Sequence, residues 1–119
     1  MTIDEIHNAI EADICCCPEE SDLDIEIGYA ADVMSDVLAF AGPGCVLITG
    51  LRNLQVIRTA DIQDIPCVVF TRGKIPDPDM IRMADACGLC IMCTELATFT
   101  VCGRLYEKGM RGTNTHEAH

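Results

Sequence analysis

The chain has 119 residues, enough for one domain around one core, and half of them are hydrophobic, which excludes a disordered chain. No apolar run approaches the ~20 residues of a membrane span, and the acidic start does not look like a signal peptide. Net charge is −11, with eleven Asp or Glu and no Lys or Arg in 1–36, so binding to a nucleic-acid phosphate backbone is not expected; an aromatic fraction of 4% without Trp also disfavours a stacking platform for single strands.

Thr2-Ile3-Asp4-Glu5 is a capping box, and Ile3, Ile6 and Ile10 follow at helical spacing, predicting an amphipathic helix over 3–12. Ile14 to Cys17 is a short apolar run stopped by Pro18 and reads as a strand. An acidic loop from Glu19 to Asp24 leads to a second strand over Ile25 to Tyr29, where apolar and polar residues alternate. Residues 31–41 place Val33, Val37 and Phe40 on one helical face, and Gly42-Pro43-Gly44 closes that helix. From Cys45 onward apolar strands alternate with helices. Strands are expected at 45–49, 65–70 and 89–93, and helices at about 53–60, 77–87 and 97–108. Asp77-Pro78 marks the start of the second of these helices and Gly88 its end. Continuous apolar strands between helices predict a three-layer α/β domain over 1–110, a mostly parallel sheet with helices on both faces. Residues 111–119 are expected to be a polar C-terminal tail.

Nine cysteines, an odd number and mostly inside apolar runs, read as buried thiols rather than a disulfide framework. They point to a reducing cytoplasm, that of an anaerobe. Ligands of parallel sheets sit where loops leave the carboxyl ends of the strands. Here those loops carry Thr49, Gly50, Arg52 and Asn53, then Thr71, Arg72, Gly73 and Lys74, then Thr94 and Glu95, so three of the eight basic residues fall at one edge of an acidic protein. Two glycines allow close backbone approach, and a helix beginning near Asn53 offers free N–H groups, a combination that could hold a phosphate or carboxylate. The simpler alternative is exposed loop arginines paired with nearby acids.

Cys87-x-x-Cys90-x-x-Cys93 has the spacing of the first three ligands of a bacterial ferredoxin run, with Cys102 as a conceivable fourth. An iron–sulfur cluster or zinc is therefore the alternative cofactor reading. Strand geometry opposes it, because Cys90 and Cys93 would face opposite sides of a strand and Cys87 would lie on the preceding helix. The expectation is no metal and no cofactor. Catalysis is not expected either: His7, His116 and His119 lie far in sequence from the strand ends, and no GxxxxGK[ST] phosphate loop is present.

Gly28-Tyr29-Ala30-Ala31-Asp32-Val33-Met34-Ser35-Asp36-Val37-Leu38, the stretch ITGLRNLQVIRTADIQDIPCVVFTRGKIPD and the closing ATFTVCGRLYEKGM together resemble small stand-alone DRTGG-domain proteins over about residues 3–110. The resemblance implies a compact α/β regulatory module, typically dimeric, of a kind that accompanies CBS pairs in regulated pyrophosphatases. Stand-alone members carry labels as relatives of HPr serine kinase or as hydrogenase-associated proteins of anaerobes; without a phosphate loop the kinase label has no chemical support here. Leu51-Arg52 stands where the family has Asp-Arg, and Thr71-Arg72-Gly73 where it has Thr-Gly-Gly. The first departure removes an acceptor and the second adds charge and bulk. Thr98-Phe99 matches the family's Thr-Phe near the last helix and adds Thr98 to the candidate ligand set.

The expected function is thus a non-catalytic regulatory module that binds a nucleotide or other anionic metabolite, in redox metabolism of the hydrogenase type. The alternative is an adaptor that takes no small ligand and docks its acidic face on a redox enzyme or its regulator. Exposed sheet edges predict a homodimer.

Overall fold

A computed structural model of the chain describes residues 1–18 and 23–113. The elements run α1 (Ile3–Ala9), β1 (Asp13–Cys16), β2 (Ile27–Ala30), α2 (Met34–Phe40), β3 (Cys45–Thr49), α3 (Leu54–Ile62), β4 (Cys67–Phe70), α4 (Pro78–Cys87), β5 (Cys90–Cys93) and α5 (Thr98–Glu107). One five-stranded sheet in the order β1-β5-β4-β3-β2 carries them. The pairs β2–β3, β3–β4 and β4–β5 are parallel, and β1 joins β5 antiparallel at the edge.

Burial explains the apolar runs. Every residue of β3 and β4 is buried, because helices cover both faces of the sheet. On one face Ile3, Ile6 and Ile10 of the first helical segment join Val101 and Leu105 of α5 over Val46, Ile48, Val69 and Met92. On the other, Val37, Val56, Ile57, Met80 and Ala84 from α2, α3 and α4 close over Leu47, Val68, Phe70 and Ile91. This is the three-layer, mostly parallel α/β fold that the sequence predicts.

Helix ends follow local chemistry. The Thr2 hydroxyl accepts from the Glu5 N–H at 3.2 Å while the Glu5 carboxylate accepts from the Thr2 N–H at 2.9 Å, completing the capping box. Asp77 accepts from the Met80 N–H at 3.0 Å, Pro78 occupies the first turn, and Gly88 ends α4 at φ 71°, a left-handed conformation that glycine takes without a Cβ penalty.

Several boundaries differ from expectation, three of them for reasons visible in the hydrogen bonding. The first helix stops at Ala9 rather than 12, since Glu11 turns to φ 52° and its carboxylate accepts from Arg104 on α5 at 2.7 Å. The second helix, α2, starts at Met34 rather than 31, because Asp32 is drawn across to the end of β3 and caps nothing. The second strand pairs only from Ile27: the N–H of Ile25 donates to Met1 O at 2.7 Å instead of joining β3. At the other end Arg111 is tied to β2, accepting from Gly28 N–H at 2.9 Å and donating to Glu26 O at 3.1 Å. The rest of the expected tail, 114–119, lies outside the described residues, as does Glu19 to Asp22 of the acidic loop.

Candidate functional site

Each central strand ends in, or is followed by, a buried threonine: Thr49 after the run CVLI, Thr71 after CVVF and Thr94 after CIMC. With Thr59 of α3 they are the buried polar residues among those described. A hydroxyl in such a place must find partners, and these three bind the loops together. Thr49 donates to Asp32 Oδ1 at 3.0 Å and accepts from Leu51 N–H at 3.1 Å. Thr71 and Thr98 share a hydrogen bond of 2.7 Å, which joins the end of β4 to the first turn of α5. Thr94 donates to Ile10 O at 2.7 Å and accepts from Leu96 N–H at 3.2 Å.

Over these threonines stands the Arg72-Gly73 turn. Both residues are left-handed, at φ 59° and 73°, and their N–H groups donate to Leu96 O and Thr94 O at 2.9 Å each. A glycine at the second position relieves the strain, while Arg72 carries it, held by those bonds. The guanidinium of Arg72 lies across Gly50 so closely that a Cβ at Gly50 would overlap it. Gly50 is needed here for that approach and not for an unusual φ.

The same corner already holds an anion. The Asp32 carboxylate accepts from Gly50 N–H at 2.8 Å and from the Thr49 hydroxyl. The Gly50 bond, then the Thr49 bond and the Arg72 charge, keep its pKa below the ordinary carboxylate value against the opposing pull of partial burial. A backbone N–H and a hydroxyl thus converge on one carboxylate oxygen within the field of the Arg72 guanidinium, a set of groups that a phosphate oxygen would also use.

The strand-end residues are brought together in most cases. Thr49, Gly50, Thr71, Arg72, Gly73 and Thr98 form one connected corner. Arg52 extends sideways, donating to Ile75 O at 2.8 Å, and Asn53 is spent on capping α3 through Val56 N–H at 3.3 Å. Lys74 is exposed beyond the turn. Leu51, standing where the family has Asp, turns inward against the core on the α3 and α4 side. Asp32 and Thr94 belong to this corner and were not in the predicted ligand set. Thr94 was legible as a strand-end loop residue after the apolar run CIMC; Asp32 lies 18 residues from its Gly50 partner.

A neighbouring cavity lies beside Gly73, lined by Glu11, Asp13, Ile75, Cys93, Thr94 and Glu95, and holds about 80 Å³.

The cysteine run does not converge. Cys87 is exposed at the end of α4 beside Asp61, Cys90 enters the α1/α5 core against Cys67, and Cys93 faces the opposite core. Cys102 lies on α5. Among the described residues no group of three or more His, Cys, Asp or Glu could hold a metal ion. Nor is any helix among them long and apolar enough to cross a membrane.

The family model for the DRTGG domain matches residues 5–107. Among solved structures, the chain is similar to the CBS and DRTGG domains of the regulatory region of Clostridium perfringens pyrophosphatase, complexed with its activator diadenosine tetraphosphate. The TM-score is 0.78 at 17% identity, covering 95% of this chain and 51% of that one, so the chain spans about half of that structure. No curated protein sequence matches the chain.

Proposed function

The chain belongs to the DRTGG domain family, and from that premise we propose that it is a non-catalytic regulatory module that binds a nucleotide or similar phosphate-bearing metabolite at the Arg72 corner. The observation that carries this reading is the Asp32 carboxylate seated on Gly50 N–H and the Thr49 hydroxyl beside the Arg72 guanidinium. A phosphate reaching these donors displaces Asp32, whose release would carry ligand binding into the β2–α2 connection. The nucleotide activator of the structurally similar pyrophosphatase regulatory region supports the ligand class. Nine cysteines without a disulfide framework support a reducing cytoplasm, and redox-linked regulation of the hydrogenase type is proposed as the setting only from the resemblance to stand-alone family members.

A thermal-shift series in phosphate-free, reducing buffer tests the reading, with adenine and guanine nucleotides and a dinucleoside tetraphosphate as probes. Ligand at a hundred times its Kd adds about 2.7 kcal/mol, a rise of several degrees for a domain this size. Arg72→Ala is expected to abolish the shift. Asp32→Asn, which removes the competing charge, is expected to deepen it. A flat series for the unaltered chain would move the assignment to a protein partner of the acidic N-terminal third.

The homodimer belongs to the same proposal. Val33, Leu38 and Phe40 are exposed on and beside α2, with Phe40 63% exposed, next to the edge strand β2. Such a patch is costly in water and is covered when two copies meet. Light scattering is expected to give twice the chain mass, falling to one chain in Phe40→Glu; a monomeric unaltered chain refutes this part.

A further inference from the structure

Two thiols from opposite ends of the chain meet at the sheet edge. Cys15 and Cys93 lie 78 residues apart, yet their sulfur atoms are 3.2 Å from one another. The register explains the meeting: Asp13 pairs with Cys93, Ile14 with Met92 and Cys16 with Ile91, leaving Cys15 as the extra residue of a β-bulge. A bulge re-aims a side chain, and this one leaves Cys15 and Cys93 packed against the same core cluster. We propose that Cys15 and Cys93 form a thiol–disulfide site that reacts reversibly with low-molecular-weight disulfides.

Access favours this pair. Cys15 and Cys93 are both half-buried at an edge strand, whereas Cys90, which neighbours Cys67 and Cys17, is fully buried at 0% exposure, as is Cys67. Burial and the contact with Cys93 push the Cys15 thiol up to about 12, which disfavours Cys15 as the first nucleophile. The Cys93 sulfur, as thiolate, attacks one sulfur of the reagent RSSR; the S–S bond of the reagent breaks and RS⁻ leaves, taking up the proton that Cys93 released. Cys15 then gives its proton to solvent and attacks Cys93 in the mixed disulfide, expelling a second RS⁻ that is protonated in turn. In sum, two cysteine thiols and RSSR become one Cys15–Cys93 disulfide and two RSH, with two electrons passing to the reagent.

The link pins β1, held on one side only, to β5. Thr94, the next residue after Cys93, accepts from the Gly73 N–H, so the link forms one residue from the Arg72 turn.

The test incubates the reduced full chain with oxidised glutathione, blocks remaining thiols and maps the peptides. The expected product is a Cys15–Cys93 link that raises the unfolding midpoint by more than about 5 °C, because it closes a long loop, and that dithiothreitol reverses. In Cys15→Ser the glutathione is expected to stay on Cys93 as a mixed disulfide. A mixed disulfide that persists on Cys93 in the unaltered chain, a link between any other pair, or a midpoint that falls on linking overturns the proposal. Mapping of the unaltered chain decides this even where the variant fails to fold.

Discussion

Replacing Phe70 by Ala is expected to cost about 3–5 kcal/mol, a large share of the ~5–15 kcal/mol that holds a domain of this size folded. Phe70 ends β4, is fully buried, and heads the large side chains of the core. It pairs in register with Thr49 on β3 and Cys93 on β5, and its carbonyl accepts from Thr94 N–H at 3.0 Å. Its ring belongs to the cluster that joins Met80 of α4, Val56 and Ile57 of α3, and Ile91 of β5. The backbone of β4 is held by strands on both sides and cannot close the void, so the transfer loss and the cavity penalty add. Urea unfolding checks this: the midpoint should fall while the slope is unchanged, and Phe70→Leu should lose less. A loss below about 1 kcal/mol would mean the core relaxes into the space, contrary to the rigid layering described above.

Residue type and spacing revealed the centre of this fold and hid its edges. The strands β3, β4 and β5 stand out because burial on both faces demands uninterrupted apolar runs, and α4 because Asp77, Pro78 and Gly88 each act within one turn of the chain. What was not legible depends on partners distant in sequence. That β1 runs antiparallel to β5 and bulges at Cys15 follows from a partner almost eighty residues away, which the run Ile-Cys-Cys-Cys does not specify. The late start of α2 has a similar cause: Asp32 reads locally as a helix-start residue, but parallel pairing of β2 with β3 brings Gly50 N–H within its reach. The basic loops were legible as strand ends. Their shared anion was not, since it comes from the protein itself.

The cysteine run shows the same division. Spacing alone made Cys87, Cys90 and Cys93 a candidate ligand set, whereas strand alternation separates them, and the structure places Cys90 and Cys93 in opposite cores. The sulfur contact at the sheet edge, Cys15 with Cys93, joins two segments that no motif spacing connects.

Thr94→Val should lower stability by about 1–3 kcal/mol despite its nearly unchanged shape. The hydroxyl of Thr94, 4% exposed, is a donor to Ile10 O and an acceptor for Leu96 N–H. Valine satisfies neither, and because Ile10 is fully buried its carbonyl is left without that donor where water does not readily replace it. The effect should spread to the Arg72 turn, because Leu96 O and Thr94 O receive the N–H groups of Arg72 and Gly73. Hydrogen exchange at those two amides is therefore expected to speed up more than at the centre of β4, and Thr94→Ser should restore most of the protection. If exchange quickens equally everywhere, Thr94 supports the fold at large. If it quickens at the turn first, the threonine at the end of β5 is what holds Arg72 over Gly50, and the anion corner depends on a hydroxyl that touches neither residue.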